Sequence, residues 1–64
     1  MRKVKVNGYI GSISGDCQEI SIVKEKIVCI ACAGLNWTYI YLEGGVCVKT
    51  KERYEKVLML IDEA

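Results

Sequence analysis

Four cysteines are the residues with the most potential for chemistry, and two of them form a C-x-x-C motif. Cys29 and Cys32 lie three positions apart, whereas Cys17 and Cys47 are remote in sequence. A redox motif places its first cysteine at a helix N-terminus, where the helix dipole lowers the thiol pKa. Residues 27–32 instead predict a strand, in which positions three apart face opposite sides. We therefore expect buried, unreactive thiols.

A metal site or a catalytic set is not indicated by the remaining residues. A structural zinc site needs a second cysteine pair or histidines, and the sequence contains no histidine. Without histidine, a cysteine nucleophile also lacks its usual base. Asp16, Glu19 and Glu43 lie at predicted turns or strand surfaces, where solvated charges are the simplest account. We expect no metal, no cofactor and no enzymatic activity.

An aromatic row is the most suggestive binding feature. Trp37, Tyr39 and Tyr41 alternate along a predicted strand and share the face that points away from the predicted helix. The basic residues that accompany this row are Lys49, Lys51 and Arg53. The row could stack nucleic-acid bases, line a pocket for a nucleotide-like molecule, or form a subunit interface. Ordinary cross-strand stabilisation of a solvent-facing sheet is the fourth possibility.

Size and composition limit these choices. The chain has 64 residues, of which 52% are hydrophobic, and we expect a single domain spanning residues 1–64. A net charge of +1 is too balanced to imply strong polyanion binding by itself. No uncharged run is long and apolar enough for a membrane span, and no secretion signal is visible at the start. A cytoplasmic protein with reduced thiols is expected.

Alternating residues and turn signals predict the elements that position the aromatic row. Six short strands are expected at residues 2–6, 9–13, 17–22, 27–32, 37–42 and 46–50, followed by a helix at 51–63. Asn7-Gly8 predicts a two-residue hairpin turn, because both residues accept positive φ, and Ser14-Gly15-Asp16 predicts the next turn. Uncharged residues on both faces of 27–32 predict a central strand.

The last hairpin can be assigned a register. A three-residue loop at 43–45 places Leu42 beside Val46 and Ile40 beside Val48, which unites the aliphatic residues on one face. A two-residue Gly44-Gly45 loop would place Ile40 opposite a lysine. The three-residue loop is therefore predicted.

The predicted helix has an apolar arc for the sheet. Thr50 is expected to cap it, with Glu52 in its first turn and paired with Lys56. The residues expected to pack on the sheet are Tyr54, Val57, Leu58 and Ile61. Met59 projects to nearly the opposite side and would stay exposed, which favours a partner.

From Glu19 onward, short apolar strands, a glycine turn and an amphipathic segment follow one another. They are Ile20-Ser21-Ile22, Ile27-Val28-Cys29-Ile30, Thr38-Tyr39-Ile40-Tyr41-Leu42, Gly45, Val46-Cys47-Val48-Lys49 and Glu52-Arg53-Tyr54-Glu55-Lys56-Val57-Leu58. This pattern resembles the FlbD-like small proteins. It covers residues 19–61 and rests on core and turn positions. It implies a fold and a small accessory role, without catalytic residues to carry over.

The sequence thus predicts an α+β fold, an antiparallel meander of five to six strands with the C-terminal helix on one face. We expect a non-catalytic binding module that forms a homo-oligomer through the aromatic row, because so short a chain gains stability from association. A protein or a small phosphorylated ligand is a further candidate partner. One alternative is a phage-type or regulatory sponge that holds a nucleotide-derived ligand between subunits; another is single-stranded nucleic-acid binding.

Overall fold

A computed structural model describes residues 2–11 and 17–64. These residues form a five-stranded antiparallel sheet with one helix on one face, which confirms the predicted fold class. The strands are β1 (Lys3–Ile10), β2 (Gln18–Val23), β3 (Ile27–Ala33), β4 (Trp37–Leu42) and β5 (Cys47–Thr50), and the helix is α1 (Tyr54–Glu63). The order β2-β1-β5-β4-β3 departs from a simple meander because β1 pairs with the last strand.

The prediction of a turn at Asn7-Gly8 is wrong. β1 runs through both residues as one strand, whereas the sequence predicts two strands at 2–6 and 9–13. Gly8 lies opposite Thr50 of β5, and a Cβ at this position would collide with the Lys49 carbonyl oxygen. The glycine therefore permits close strand approach rather than a turn. The predicted strand beyond residue 11 and the turn at 14–16 lie outside the described residues.

The β4–β5 hairpin has the predicted register. Ile40 pairs with Val48, and the Leu42 amide donates to the Val46 carbonyl oxygen at 2.8 Å. The three-residue loop contains Gly44 and Gly45 at φ values of 87° and 80°. Two consecutive glycines thus supply the left-handed backbone that closes the loop.

β3 is an edge strand of the described sheet, so the prediction of a central strand is wrong. Its residues combine exposed and half-buried side chains, with no fully buried position. A bulge between Ile27 and Cys29 shifts its register against β4. The uncharged composition suggested burial on both faces, but the helix covers only one face of the sheet.

The helix begins later than predicted, at Tyr54. Thr50 does not cap it; its hydroxyl donates to the Asn7 carbonyl oxygen at 2.7 Å and accepts the Glu52 amide at 3.1 Å. These bonds hold the chain in a non-helical connection between β5 and α1. Glu52 therefore precedes the first turn, although it still forms the expected ion pair with Lys56 at 2.8 Å.

The core lies between α1 and the inner face of the sheet, by which we mean the face that α1 covers. Its buried apolar residues are Val4, Val6, Ile20, Ile22, Ile40, Val48 and Val57. The helix contributes Val57, Leu60 and Ile61, and Ala64, which follows its last residue, packs on the same core. These residues occupy the i, i+3, i+4 and i+7 positions of one arc. Leu58 is 42% exposed, so its predicted place in the core is wrong, and Met59 is exposed as predicted.

Candidate functional site

The outer face of the sheet, opposite α1, carries the candidate site. Strand alternation and the cross-strand register place Trp37, Tyr39 and Tyr41 on this face, as predicted. The same register places Lys49 opposite Tyr39 and Cys47 opposite Tyr41. The aromatic row therefore lies on the sheet surface that the helix leaves uncovered.

Tyr9 belongs to this face as well, and sequence reasoning missed it. It pairs with Lys49 on the far side of β5, so Tyr9, Lys49 and Tyr39 lie side by side on three adjacent strands. The hairpin predicted from the sequence places Tyr9 in a separate strand. In β1, Lys3 and Lys5 alternate with buried valines. Continuing this alternation to residue 9 would have predicted that Tyr9 lies on the outer face.

The four rings form two contacts. Tyr9 and Trp37 have centroids 5.9 Å apart with ring planes inclined at 44°. Tyr39 and Tyr41 meet edge to face, with centroids 6.5 Å apart and planes at 77°. All four side chains keep part of their surface accessible to solvent. The outer face thus presents a patch of aromatic surface with rings from β1 and β4, the strands on either side of β5.

Two lysine ammonium groups lie over these rings. Lys49 Nζ is 5.6 Å from the Tyr39 centroid, and Lys51 Nζ is 5.4 Å from the Trp37 centroid. Both distances suit attraction of a cation to an aromatic face. β1 adds Lys3 and Lys5 on the same face by alternation.

The outer face is more basic than the chain as a whole. Among its described strand positions, the only acidic residue is Glu19 of β2, which lies opposite Asn7. The net charge of +1 for the whole sequence hides this separation, because other acidic side chains lie on the helix and in turns. The charge of this surface would therefore complement an anion.

Arg53, the last predicted site residue, lies in the connection between β5 and α1 and not in a strand of the outer face. It precedes α1 and lines an open depression of about 390 Å³ together with Trp37 of the outer face, Thr38 of the inner face, and Tyr54 and Glu55 of the helix. The structure thus brings Arg53 near Trp37, while Tyr39, Tyr41 and Lys49 lie farther along the sheet and do not line this depression.

The cysteines are not buried, which corrects the expectation from the sequence. Cys17, Cys29 and Cys32 are exposed and Cys47 is half-buried. Cys29 shares the outer face with Tyr41, whereas Cys32 pairs with Thr38 on the inner face, as strand parity predicts. Within residues 2–11 and 17–64, no three cysteine or acidic side chains cluster in a way that could hold a metal ion.

No helix in the described part of the chain is long and apolar enough to cross a membrane. Comparison with protein-family models, curated proteins and solved structures found no match to this chain. The resemblance to the FlbD-like proteins stays a prediction.

Proposed function

We propose that this chain is a non-catalytic binding module whose outer face takes an anionic ligand containing a flat ring. The proposed ligand is a nucleotide unit, either free or within a single strand, in which a base lies beside a phosphate. The observation that carries the proposal is the arrangement of Tyr9, Lys49 and Tyr39, in which a lysine lies between two tyrosines on adjacent strands.

The rings supply the stacking surface. Base stacking on an aromatic side chain contributes about 1–3 kcal/mol per base and tolerates any base. Trp37 and Tyr39 are neighbours on the outer face of β4, separated by one inward-facing residue, so their Cα atoms lie roughly 7 Å apart at the usual strand rise. Adjacent bases of an extended strand can be held at such a spacing.

The lysines supply the charge. Lys49 and Lys51 lie over the rings of Tyr39 and Trp37. Their stems are flexible, so each ammonium can move from a ring face to a phosphate while a base takes its place on the ring. Arg53, which lines one depression with Trp37, can hold a further phosphate there.

The charge also argues against the outer face as a subunit interface, which the sequence had favoured. Two copies related by a two-fold axis present the same surface to each other. Stacking two outer faces would bring two sets of Lys3, Lys5, Lys49 and Lys51 together. Among the described strand positions of this face, only Glu19 of each chain would offset them. Like charges across an interface disfavour association.

Binding measurements with defined ligands test the proposal. Fluorescence anisotropy with a labelled single-stranded oligonucleotide, and calorimetry with mononucleotides, separate the two sources of the ligand. Affinity for the strand that falls with a steep log–log dependence on salt supports a nucleic-acid ligand. Affinity for a free nucleotide that exceeds that for the strand supports the sponge. Failure to bind either ligand at low salt rejects the proposal.

Paired variants connect any binding to the outer face. Lys49→Gln removes the charge between the tyrosines, and Lys56→Gln removes one on the helix, away from this face. We expect Lys49→Gln to weaken binding and Lys56→Gln to leave it nearly unchanged. Equal loss in both variants would mean that the ligand responds to net charge alone.

A further inference from the structure

The edge of β3 offers backbone groups that the described sheet does not use. The Leu42 amide donates to the Val46 carbonyl oxygen, so even-numbered residues of β4 bond to β5 and odd-numbered residues bond to β3. Beyond its bulge, β3 pairs Ala31 with Tyr39. The amide and carbonyl groups of Ala31 therefore face β4, and those of Ile30 and Cys32 point away from the sheet.

This edge also lacks the features that usually prevent pairing with another strand. No residue of β3 is charged, and the chain contains no proline. Exposed edges are commonly protected by lysine, proline or a bulge, and here only the bulge, at the start of the strand, is present. The other edge strand, β2, carries Glu19.

The two most exposed large apolar side chains of the described residues lie at opposite ends of β3. Val28 is 64% exposed near the start of the strand, and Leu35 is 99% exposed in the turn that follows it. An antiparallel strand of the same sequence would place its own Leu35 near Val28, and its own Val28 near Leu35. The edge is therefore complementary to itself.

We propose that a second copy of this chain pairs antiparallel with β3 along this edge. Residues that pair across two antiparallel strands have their side chains on the same face of the sheet. The two-fold axis between the copies must therefore pass through a residue and not through a peptide bond. An axis at Ala31 places Ile30 opposite Cys32 of the second copy and uses all the outward backbone groups of both residues. Small Ala31 side chains meet at the axis without steric conflict.

This arrangement joins two outer faces into one surface. The two-fold axis runs perpendicular to the sheet, so both helices lie on one side and both aromatic patches on the other. Ala31 and Ala33 share the outer face with Tyr39 and Trp37. The two aromatic patches are therefore separated only by the small side chains of these alanines from each copy. The pairing does not depend on the proposed ligand and can be tested in its absence.

Lysine substitutions at the exposed apolar positions test the edge. Val28→Lys and Leu35→Lys each place a charge beside the pairing strand, while Met59→Lys makes a similar change on the helix, where the side chain is 56% exposed. Losing burial of one such side chain should raise the dimer dissociation constant by about tenfold or more. Sedimentation equilibrium should give a dimer mass for the wild type and Met59→Lys, with dissociation in the other two variants.

Amide hydrogen exchange identifies the edge directly and does not rely on a variant. In the dimer the Ile30 and Cys32 amides are bonded and should exchange slowly. The Ser21 amide, which points outward from β2 by the same alternation, should exchange fast and serves as the control. A monomer at all concentrations, or a dimer in which Ile30 and Cys32 exchange as fast as Ser21, would overturn the proposal.

Discussion

Thr38 and Thr50 lie opposite each other on β4 and β5, and both are buried under the connection that leads into α1. The Thr38 hydroxyl donates to the Glu52 carbonyl oxygen at 2.8 Å, and the Thr50 hydroxyl accepts the Glu52 amide. One threonine pair thus binds both backbone groups of a single residue. This fixes where the chain leaves the sheet and therefore where the helix begins.

Replacing Thr50 by Val should destabilise the protein. The variant keeps the side-chain shape but leaves the Glu52 amide and the Asn7 carbonyl oxygen without their partner, at a cost of about 1–3 kcal/mol. The midpoint of urea unfolding measures the effect. Thr50→Ser keeps a hydroxyl and should recover most of the loss; if Val and Ser behave alike, the hydroxyl does not hold the connection.

Gly8→Ala should also destabilise the sheet, because the added methyl group meets the backbone of Lys49 and Thr50. Overpacking of this kind costs about 1–3 kcal/mol. Asn7→Ala is the matched control, since the contacts of Asn7 with Thr50 and Glu52 use its main chain. An unfolding midpoint for Gly8→Ala equal to that of Asn7→Ala would mean that β1 and β5 do not approach closely at this point.

The sequence predicted the fold class and the last hairpin because those depend on strong local signals. Alternation over residues 37–42 and the glycines of the following loop were enough for the register of Ile40 with Val48. Asn7-Gly8 misled the prediction because a turn signal and a tight strand contact both favour glycine. Only the position of β5 beside β1, a long-range contact, decides between them.

Only part of the candidate site was predicted, again because local signals can be read from the sequence and long-range contacts cannot. Alternation along one strand is enough to predict that Trp37, Tyr39 and Tyr41 share a face. Tyr9 joins them only through the pairing of β1 with β5. The exposure of Cys29 and Cys32 could not be predicted, because an uncharged strand is equally consistent with a buried centre and an edge. The position of β3 at the edge of the described sheet resolves that ambiguity.

Substitutions on the two faces of β4 should affect stability differently. Ile40 is fully buried, and Ile40→Ala should cost about 2–5 kcal/mol, a large part of the stability of so small a chain. The double substitution of Tyr39 and Tyr41 by Ser should keep the sheet and helix, as seen by circular dichroism. Unfolding of the double variant with a stable Ile40→Ala would place the core on the other face.

The thiols should be accessible but should not pair within the chain. Cys17, Cys29 and Cys32 are exposed and should be labelled rapidly in the native protein, with Cys47 slower. Cys29 and Cys32 are three strand positions apart, roughly 10 Å between Cα atoms, which is too far for a disulfide. Mass spectrometry after mild oxidation checks this; an intramolecular Cys29–Cys32 bond would contradict the strand assignment.

The fluorescence of Trp37 tests the central claim most directly, since it is the only tryptophan in the chain and lies on the outer face. Titration with a single-stranded oligonucleotide or a free nucleotide at low salt should quench this emission saturably, because a base stacks on the patch that includes the indole. The quenching should weaken in Lys49→Gln and persist in Lys56→Gln. Binding detected by calorimetry without any change in Trp37 emission, or quenching unaffected by Lys49→Gln, would contradict the assignment of the outer face as the ligand site.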